Sequence, residues 1–179
     1  MKKAVLFYAF ISIAFLISCG SGEGKEETAL NQSSNEGVPE GNTPATAGML
    51  PSFTMRDIDG RLLNLKSFEG KKVFVNLWAS WCPPCRREMP SIQKLYQGLD
   101  KSKVVFVMLA LDDDFSKSKE YILEQGFMMP VYHPGENLPE LFNVQGIPAT
   151  FIFDEKGTLI EKVEGSDDYS KAKYKDLLK

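Results

Sequence analysis

Two of the three cysteines in this 179-residue chain, Cys82 and Cys85, are separated by two prolines, a spacing that suits thiol–disulfide exchange. An apolar run ends just before them at Trp78, and helical periodicity begins at about Pro84. We therefore expect Cys82 just outside a helix N-terminus, where unpaired backbone N–H groups and the helix dipole stabilise a thiolate. Cys85, one turn further on, can close a small disulfide ring with Cys82. The spacing predicts that Cys82 attacks a partner disulfide and that Cys85 resolves the mixed disulfide.

A Cys-x-x-Cys pair can also bind a metal ion or form a static disulfide, but other features of the sequence argue against both roles. A four-cysteine zinc site lacks its second pair, and the single histidine, His133, excludes a multi-histidine metal centre, so we expect no bound metal. A static disulfide this short restrains little of the unfolded chain. A Cu(I)-carrier loop remains an alternative, although the flanking tryptophans and the double proline suit it poorly. Pro83 and Pro84 fix two φ angles and rigidify the ring, and we expect both prolines and Trp81 to contact a substrate.

The elements around this pair alternate between strand and helix patterns. Short apolar runs predict buried strands, helical spacing predicts helices, and Asp59-Gly60 predicts the turn of an N-terminal β-hairpin. This order predicts an α/β domain with a central mixed sheet flanked by helices. The predicted strands are 53–56, 62–65, 72–78, 104–111, 131–132, 150–153 and 159–163; the helices are 84–99, 116–125 and 169–178, with one or two helical turns in 138–142.

The motif from Trp81 to Cys85, placed directly after a buried strand, resembles the thioredoxin superfamily. The Gly-Ile-Pro-Ala-Thr segment that begins at Gly146 resembles the family's Gly-x-Pro-x-Thr loop, and a proline inside the first helix is also typical of the family. The N-terminal hairpin and the Trp-x-x-Trp-Cys run are most similar to the membrane-attached TlpA/ResA-type subgroup. The resemblance implies a thioredoxin-like fold in which Pro148 is cis and faces the cysteines. It also implies that the Ile147 backbone pairs with a substrate segment.

Two positions separate this chain from cytosolic thioredoxins. Those proteins carry a buried aspartate six residues before the first cysteine, where this chain has Asn76. ResA-type proteins instead carry a glutamate six residues after the first cysteine, and Glu88 matches it. The resemblance implies that Glu88 tunes the thiols and moves the proton of the resolving step. The alternative is a solvated helix carboxylate paired with a neighbouring cation.

The N-terminus has the pattern of an export signal. Lys2 and Lys3 precede an apolar run over 4–17, which is short for a membrane span but typical of a secretory signal peptide. The run ends Leu-Ile-Ser-Cys-Gly and resembles a bacterial lipobox, which implies lipidation at Cys19; an unmodified cysteine beside an ordinary signal is the alternative. We predict a signal peptide over 1–18, a lipidated cysteine and flexible tether over 19–48, and one domain over 49–179.

Composition and motifs together limit the classes of function that this protein can have. A net charge of −3 argues against nucleic acid as a partner. We expect a monomeric, lipid-anchored thiol–disulfide oxidoreductase in the bacterial cell envelope, outside the cytoplasm. It would act without a cofactor, reducing disulfides of exported proteins (apocytochrome c among the candidates) with electrons from a membrane donor. A peroxiredoxin-like peroxidase and a Cu(I) metallochaperone are the alternatives, although Ala79 stands where a peroxidatic cysteine needs a threonine or serine.

Overall fold

A seven-stranded sheet organises residues 48–179, the part of the chain that the computed structural model describes. Three α-helices, α1 (Pro83–Gln97), α2 (Phe115–Glu124) and α3 (Ala172–Leu177), accompany it, with 3₁₀ turns at Leu65–Phe68 and Glu140–Phe142. The predictions for the signal peptide, Cys19 and residues 19–47 lie outside the described residues. The strands are β1 (Thr54–Asp57), β2 (Leu62–Asn64), β3 (Lys72–Trp78), β4 (Val104–Ala110), β5 (Val131–Pro134), β6 (Ala149–Phe153) and β7 (Leu159–Glu164).

The sheet is mixed, with strand order β2-β1-β5-β4-β3-β6-β7. The β3–β4 and β4–β5 pairs are parallel and the others antiparallel. β4 is apolar throughout, and β3 is apolar except for Lys72 and Asn76, because both faces of these strands are covered. The β1–β2 hairpin extends the sheet through β1–β5 pairing. The architecture confirms the predicted α/β fold with a central mixed sheet and an N-terminal hairpin.

Alternation along β3 sends successive side chains into two cores. Phe74 and Trp78 pack on the face covered by the helices. Val73 and Val75 pack on the opposite face, beneath the 3₁₀ turns. Asn76 is two residues from both Phe74 and Trp78, so its side chain points to the same helix-covered face of the sheet. It is fully buried there, although it is polar.

The predicted boundaries differ from the structure mainly at the C-terminal helix. Helical spacing predicts a helix over 169–178, whereas α3 begins at Ala172. The side chain of Asp168 accepts hydrogen bonds from the backbone and hydroxyl of Ser170, which makes a turn where the first helical turn was expected. Tyr169 is buried by a tertiary contact instead. Within residues 48–179, no helix has the length and apolar character needed to cross a bilayer.

Candidate functional site

The cysteine pair lies where β3 gives way to α1. Cys82 is the N-cap residue of α1, and the backbone N–H of Cys85 donates to its sulfur at 3.3 Å. Because Pro83 and Pro84 have no N–H group, that donor is the first one the helix offers. The two sulfurs form a disulfide with an S–S distance of 2.07 Å. The same N–H group can stabilise a negative charge on Cys82 once the bond is reduced.

The two cysteines differ in accessibility and neighbours. Cys82 is 3 % exposed and Cys85 is fully buried, so an incoming sulfur meets Cys82 first. The Ile147 carbonyl oxygen lies 3.7 Å from the Cys82 sulfur, and the Ile147–Pro148 peptide bond is cis. Trp81, the residue before Cys82, is 66 % exposed. Of the residues predicted to contact a substrate, Ile147 lies beside Cys82, Trp81 and Pro83 are exposed, Pro84 is partly exposed, and Pro148 is buried.

Glu88 is a buried carboxyl group, one helical turn beyond Cys85. It is 2 % exposed, so the alternative of a solvated helix carboxylate is wrong. Its Oε1 accepts from the Asn76 side-chain amide at 2.8 Å, and its Oε2 accepts from the backbone N–H of Asp167 at 3.3 Å. Burial raises the pKa of Glu88 to about 7, although these hydrogen bonds favour the charged form. Near neutral pH the group can therefore both accept and release a proton.

A buried polar network extends from Glu88 across the sheet. The Asn76 amide nitrogen also donates to the hydroxyl of Thr150 at 2.9 Å, and the Tyr169 hydroxyl donates to the same oxygen at 2.6 Å. Asn76 Oδ1 is buried without a hydrogen-bond partner among residues 48–179. Burial raises the pKa of Tyr169, which keeps its hydroxyl a donor. The network fixes the amide that touches the Glu88 carboxyl.

Sequence reasoning placed Thr150 in the Gly-x-Pro-x-Thr segment but did not predict its contact with Asn76, and it missed Tyr169. Thr150 is opposite Asn76 in the antiparallel β3–β6 register. That pairing could have been found by aligning the two apolar runs, since both residues interrupt strands that are otherwise apolar. Tyr169 gives no such signal because its contact depends on how the C-terminal segment packs.

A second buried carboxylate supports the loop that leads to Cys82. Asp112 is 2 % exposed, and its oxygens accept from the Ser80 N–H at 3.0 Å and from the Ser80 hydroxyl at 2.5 Å. The hydroxyl of Ser118 on α2 donates to it at 2.6 Å. The Nε2 atom of His133, the single histidine, lies 2.9 Å from the Asp112 carbonyl oxygen. Asp112 therefore ties the loop before Cys82 to α2.

Comparison with known proteins agrees with this geometry. Residues 45–178 match the Redoxin family. The chain is 31 % identical over 116 residues to thiol-disulfide oxidoreductase ResA of Bacillus thuringiensis, covering 64 % of this chain and 67 % of the relative. It is 33 % identical over 111 residues to the thioredoxin-like protein YneN of Bacillus subtilis, covering 61 % and 65 % respectively.

The fold has close counterparts among solved structures. The thioredoxin domain of a thiol-disulfide oxidoreductase from Bacteroides vulgatus superposes with a TM-score of 0.66 at 23 % identity, covering 76 % of this chain and all of that one. The comparisons confirm the predicted superfamily and the predicted enzyme class of thiol–disulfide oxidoreductase. The chain belongs to the Redoxin family, as a TlpA/ResA-type member of the thioredoxin superfamily.

Proposed function

We propose that this protein reduces disulfides of proteins outside the cytoplasm through Cys82 and Cys85. The observation that carries the proposal is the position of Cys82, which caps α1, is bonded to Cys85 and lies beside the Ile147 carbonyl. A sulfur at a helix N-terminus suits thiolate attack, and a backbone carbonyl beside it suits strand-like pairing with an extended substrate.

The reaction transfers two electrons from the dithiol of the enzyme to a disulfide of the substrate. In the reduced enzyme the Cys82 thiolate attacks one sulfur of a substrate disulfide, forming a mixed disulfide and releasing the other substrate sulfur as a thiolate. The thiol of Cys85 then loses its proton and attacks the Cys82 sulfur. The substrate leaves as a dithiol, and the enzyme keeps the Cys82–Cys85 disulfide. A donor dithiol at the membrane restores the reduced enzyme.

Glu88 is the proton acceptor we propose for the resolving step. Cys85 and Glu88 are three residues apart on α1, so they lie on one face of the helix, and both are buried. With its pKa raised to about 7 by burial, Glu88 can take the thiol proton near neutral pH and return it to the leaving substrate sulfur.

We propose net reduction because a proline pair, rather than a histidine, lies between the cysteines. We expect a potential toward the reducing end of the superfamily's range of about −270 to −120 mV. Apocytochrome c is one candidate substrate among the exported proteins. A potential measured at the oxidising end would contradict the proposed direction.

Trapping tests the enzyme assignment directly. Cys85→Ala cannot resolve a mixed disulfide, so partner proteins should stay bound to Cys82 and be released by reductant. Cys82→Ala, the matched control, should trap none. Equal recovery from both variants would remove the assignment of Cys82 as nucleophile. Rapid turnover of peroxide would instead favour a peroxidase, and stoichiometric Cu(I) binding without disulfide reduction would favour a metallochaperone.

We also propose that the chain is exported and held on a membrane by lipid on Cys19. The support is the sequence alone: a basic start, an apolar run, and a cysteine at the lipobox position. Cys19→Ser should release the protein from the membrane fraction, whereas Cys82→Ser should stay attached. Continued attachment of Cys19→Ser would contradict lipidation.

A further inference from the structure

We propose that a groove between α1 and α2, beside the cysteines, binds an acidic side chain of the protein substrate. The proposal rests on the proposed function and adds a substrate preference to it. The groove, named here the arginine groove, is lined by Pro83, Arg86, Arg87, Tyr121 and Gln125.

The arginine groove adjoins the reacting sulfur. Pro83 forms part of its lining and directly follows Cys82, the cysteine that an incoming sulfur meets first. Its volume of about 350 Å³ is large enough for one side chain. Tyr121 is a buried lining residue, whereas Arg86 and Arg87 are exposed. A substrate bonded to Cys82 would therefore have its neighbouring residues within reach of both guanidinium groups.

The two arginines have unused hydrogen-bonding capacity. Arg86 stacks over the Tyr121 ring, with its guanidinium carbon 4.9 Å from the ring centroid. Stacking occupies the face of the guanidinium and leaves the donors on its edge available for a carboxylate. Within residues 48–179, neither Arg86 nor Arg87 forms an ion pair or a side-chain hydrogen bond, whereas Arg61 pairs with two aspartates. The free donors and the partial ordering of Arg86 suit bidentate recognition of a carboxylate.

The charge of its lining makes the arginine groove a better site for an acidic side chain than the hollow next to it. An adjoining hollow of about 460 Å³ shares Arg86 and Tyr121, but there Glu120 and Glu124 balance the charges of Arg86 and Lys117. Those carboxylates would repel an acidic side chain. The arginine groove has two guanidinium groups and no carboxylate in its lining. An acidic residue of the substrate is therefore the occupant that its charge complements.

The test compares peptide disulfides that differ in one residue near the reactive cysteine. That residue is Glu, Gln or Lys, placed two or three positions before or after the cysteine in a small set. The rate constant for oxidation of the reduced full-length protein is measured for each peptide by tryptophan fluorescence. We expect the best-placed Glu peptide to react about three- to tenfold faster than its Gln counterpart at low salt. The preference should shrink in 0.5 M salt, where charges are screened over about 4–5 Å.

Variants then assign the preference to the groove. In Arg86→Gln/Arg87→Gln the Glu-to-Gln rate ratio should fall to about one, and Arg86→Glu should shift the preference toward the Lys peptide. Taking the ratio within each protein cancels any change in the intrinsic reactivity of Cys82. Arg56→Gln, which removes the same charge from an exposed position on β1, is the matched control and should keep the wild-type ratio.

The outcomes separate the two proposals. A wild-type ratio of one for every peptide in the set, or a ratio that the double variant preserves, would overturn the arginine groove and leave the reductase proposal standing. If no peptide disulfide oxidised the wild-type protein at all, the reductase proposal would fail and the groove assignment with it.

Discussion

Replacing Glu88 with glutamine should remove a large pH-dependent contribution to stability. Burial raises the pKa of Glu88 from its ordinary value of 4.5 to about 7 in the folded protein. A carboxyl group whose pKa is higher in the folded protein than in the unfolded chain stabilises the native state when it is protonated. This stabilisation is complete at pH values below the pKa of the unfolded chain and is lost as the pH rises through the pKa of the folded protein. The wild-type protein should therefore lose stability between about pH 4.5 and pH 7 on account of this one group.

The size of the effect follows from the two pKa values. Each pKa unit corresponds to about 1.4 kcal/mol, so a rise from 4.5 to about 7 costs the ionised native state about 3 kcal/mol. About 2.5 kcal/mol of this develops between about pH 5 and about pH 8.5. Glutamine does not titrate. Its amide would replace an oxygen that accepts from Asp167 N–H, which adds a constant penalty of about 1 kcal/mol.

Urea denaturation of the disulfide form across this pH range measures the effect. The unfolding free energy of Glu88→Gln minus that of wild type should rise by about 2.5 kcal/mol from about pH 5 to about pH 8.5. Glu69→Gln, at an exposed position, is the control and should give a flat difference. A flat difference for Glu88→Gln, or one that falls with pH, would refute the assignment of Glu88 as a buried group that titrates near neutrality.

Four further substitutions test other parts of the structure. Asn76→Asp places a second carboxylate 2.8 Å from Glu88, so the carboxyl midpoint seen by NMR should rise by about one unit or more; an unchanged midpoint would contradict the contact. Asp112→Asn replaces an acceptor of three hydrogen bonds with a group that is partly a donor, and should lower the unfolding free energy by about 2 kcal/mol in urea. Gly157 and Gly60 have φ angles of 77° and 87°, but only at Gly157 would a Cβ meet other atoms, at 3.2 Å. Thermal unfolding should therefore show Gly157→Ala destabilised by about 2 kcal/mol and Gly60→Ala by about 1 kcal/mol, and equal losses would contradict the close packing.

The sequence predicts most of the fold because local patterns and tertiary packing agree. Residues 72–78 are mostly apolar and form a strand covered on both faces, as expected. The Asp59-Gly60 pair lies in the turn of the N-terminal hairpin. The C-terminal helix is shorter than predicted because Asp168 makes a side-chain turn and Tyr169 is drawn into the core, which periodicity alone cannot show.

The site is less predictable because its key contacts join distant parts of the chain. The spacing of Cys82 and Cys85 indicates their chemistry, since both lie in one local turn. The environment of Glu88 depends on Asp167, which is 79 residues away. The Asn76 contact with Thr150 requires the β3–β6 register. Local sequence carries no information on these distances, so the position of Glu88 suggested a role but not its burial.

The backbone between Gly165 and Lys171 contacts a titrating group in the interior. Its Asp167 N–H meets the Glu88 carboxyl, while the Asp167 side chain is held by Lys171 and Tyr174. An insertion in this turn, or a substitution that makes it more mobile, would therefore also affect the interior of the protein. Such a change would let water reach Glu88 and lower its pKa toward that of a free side chain. The turn would thereby affect catalysis although it contains none of the reacting atoms.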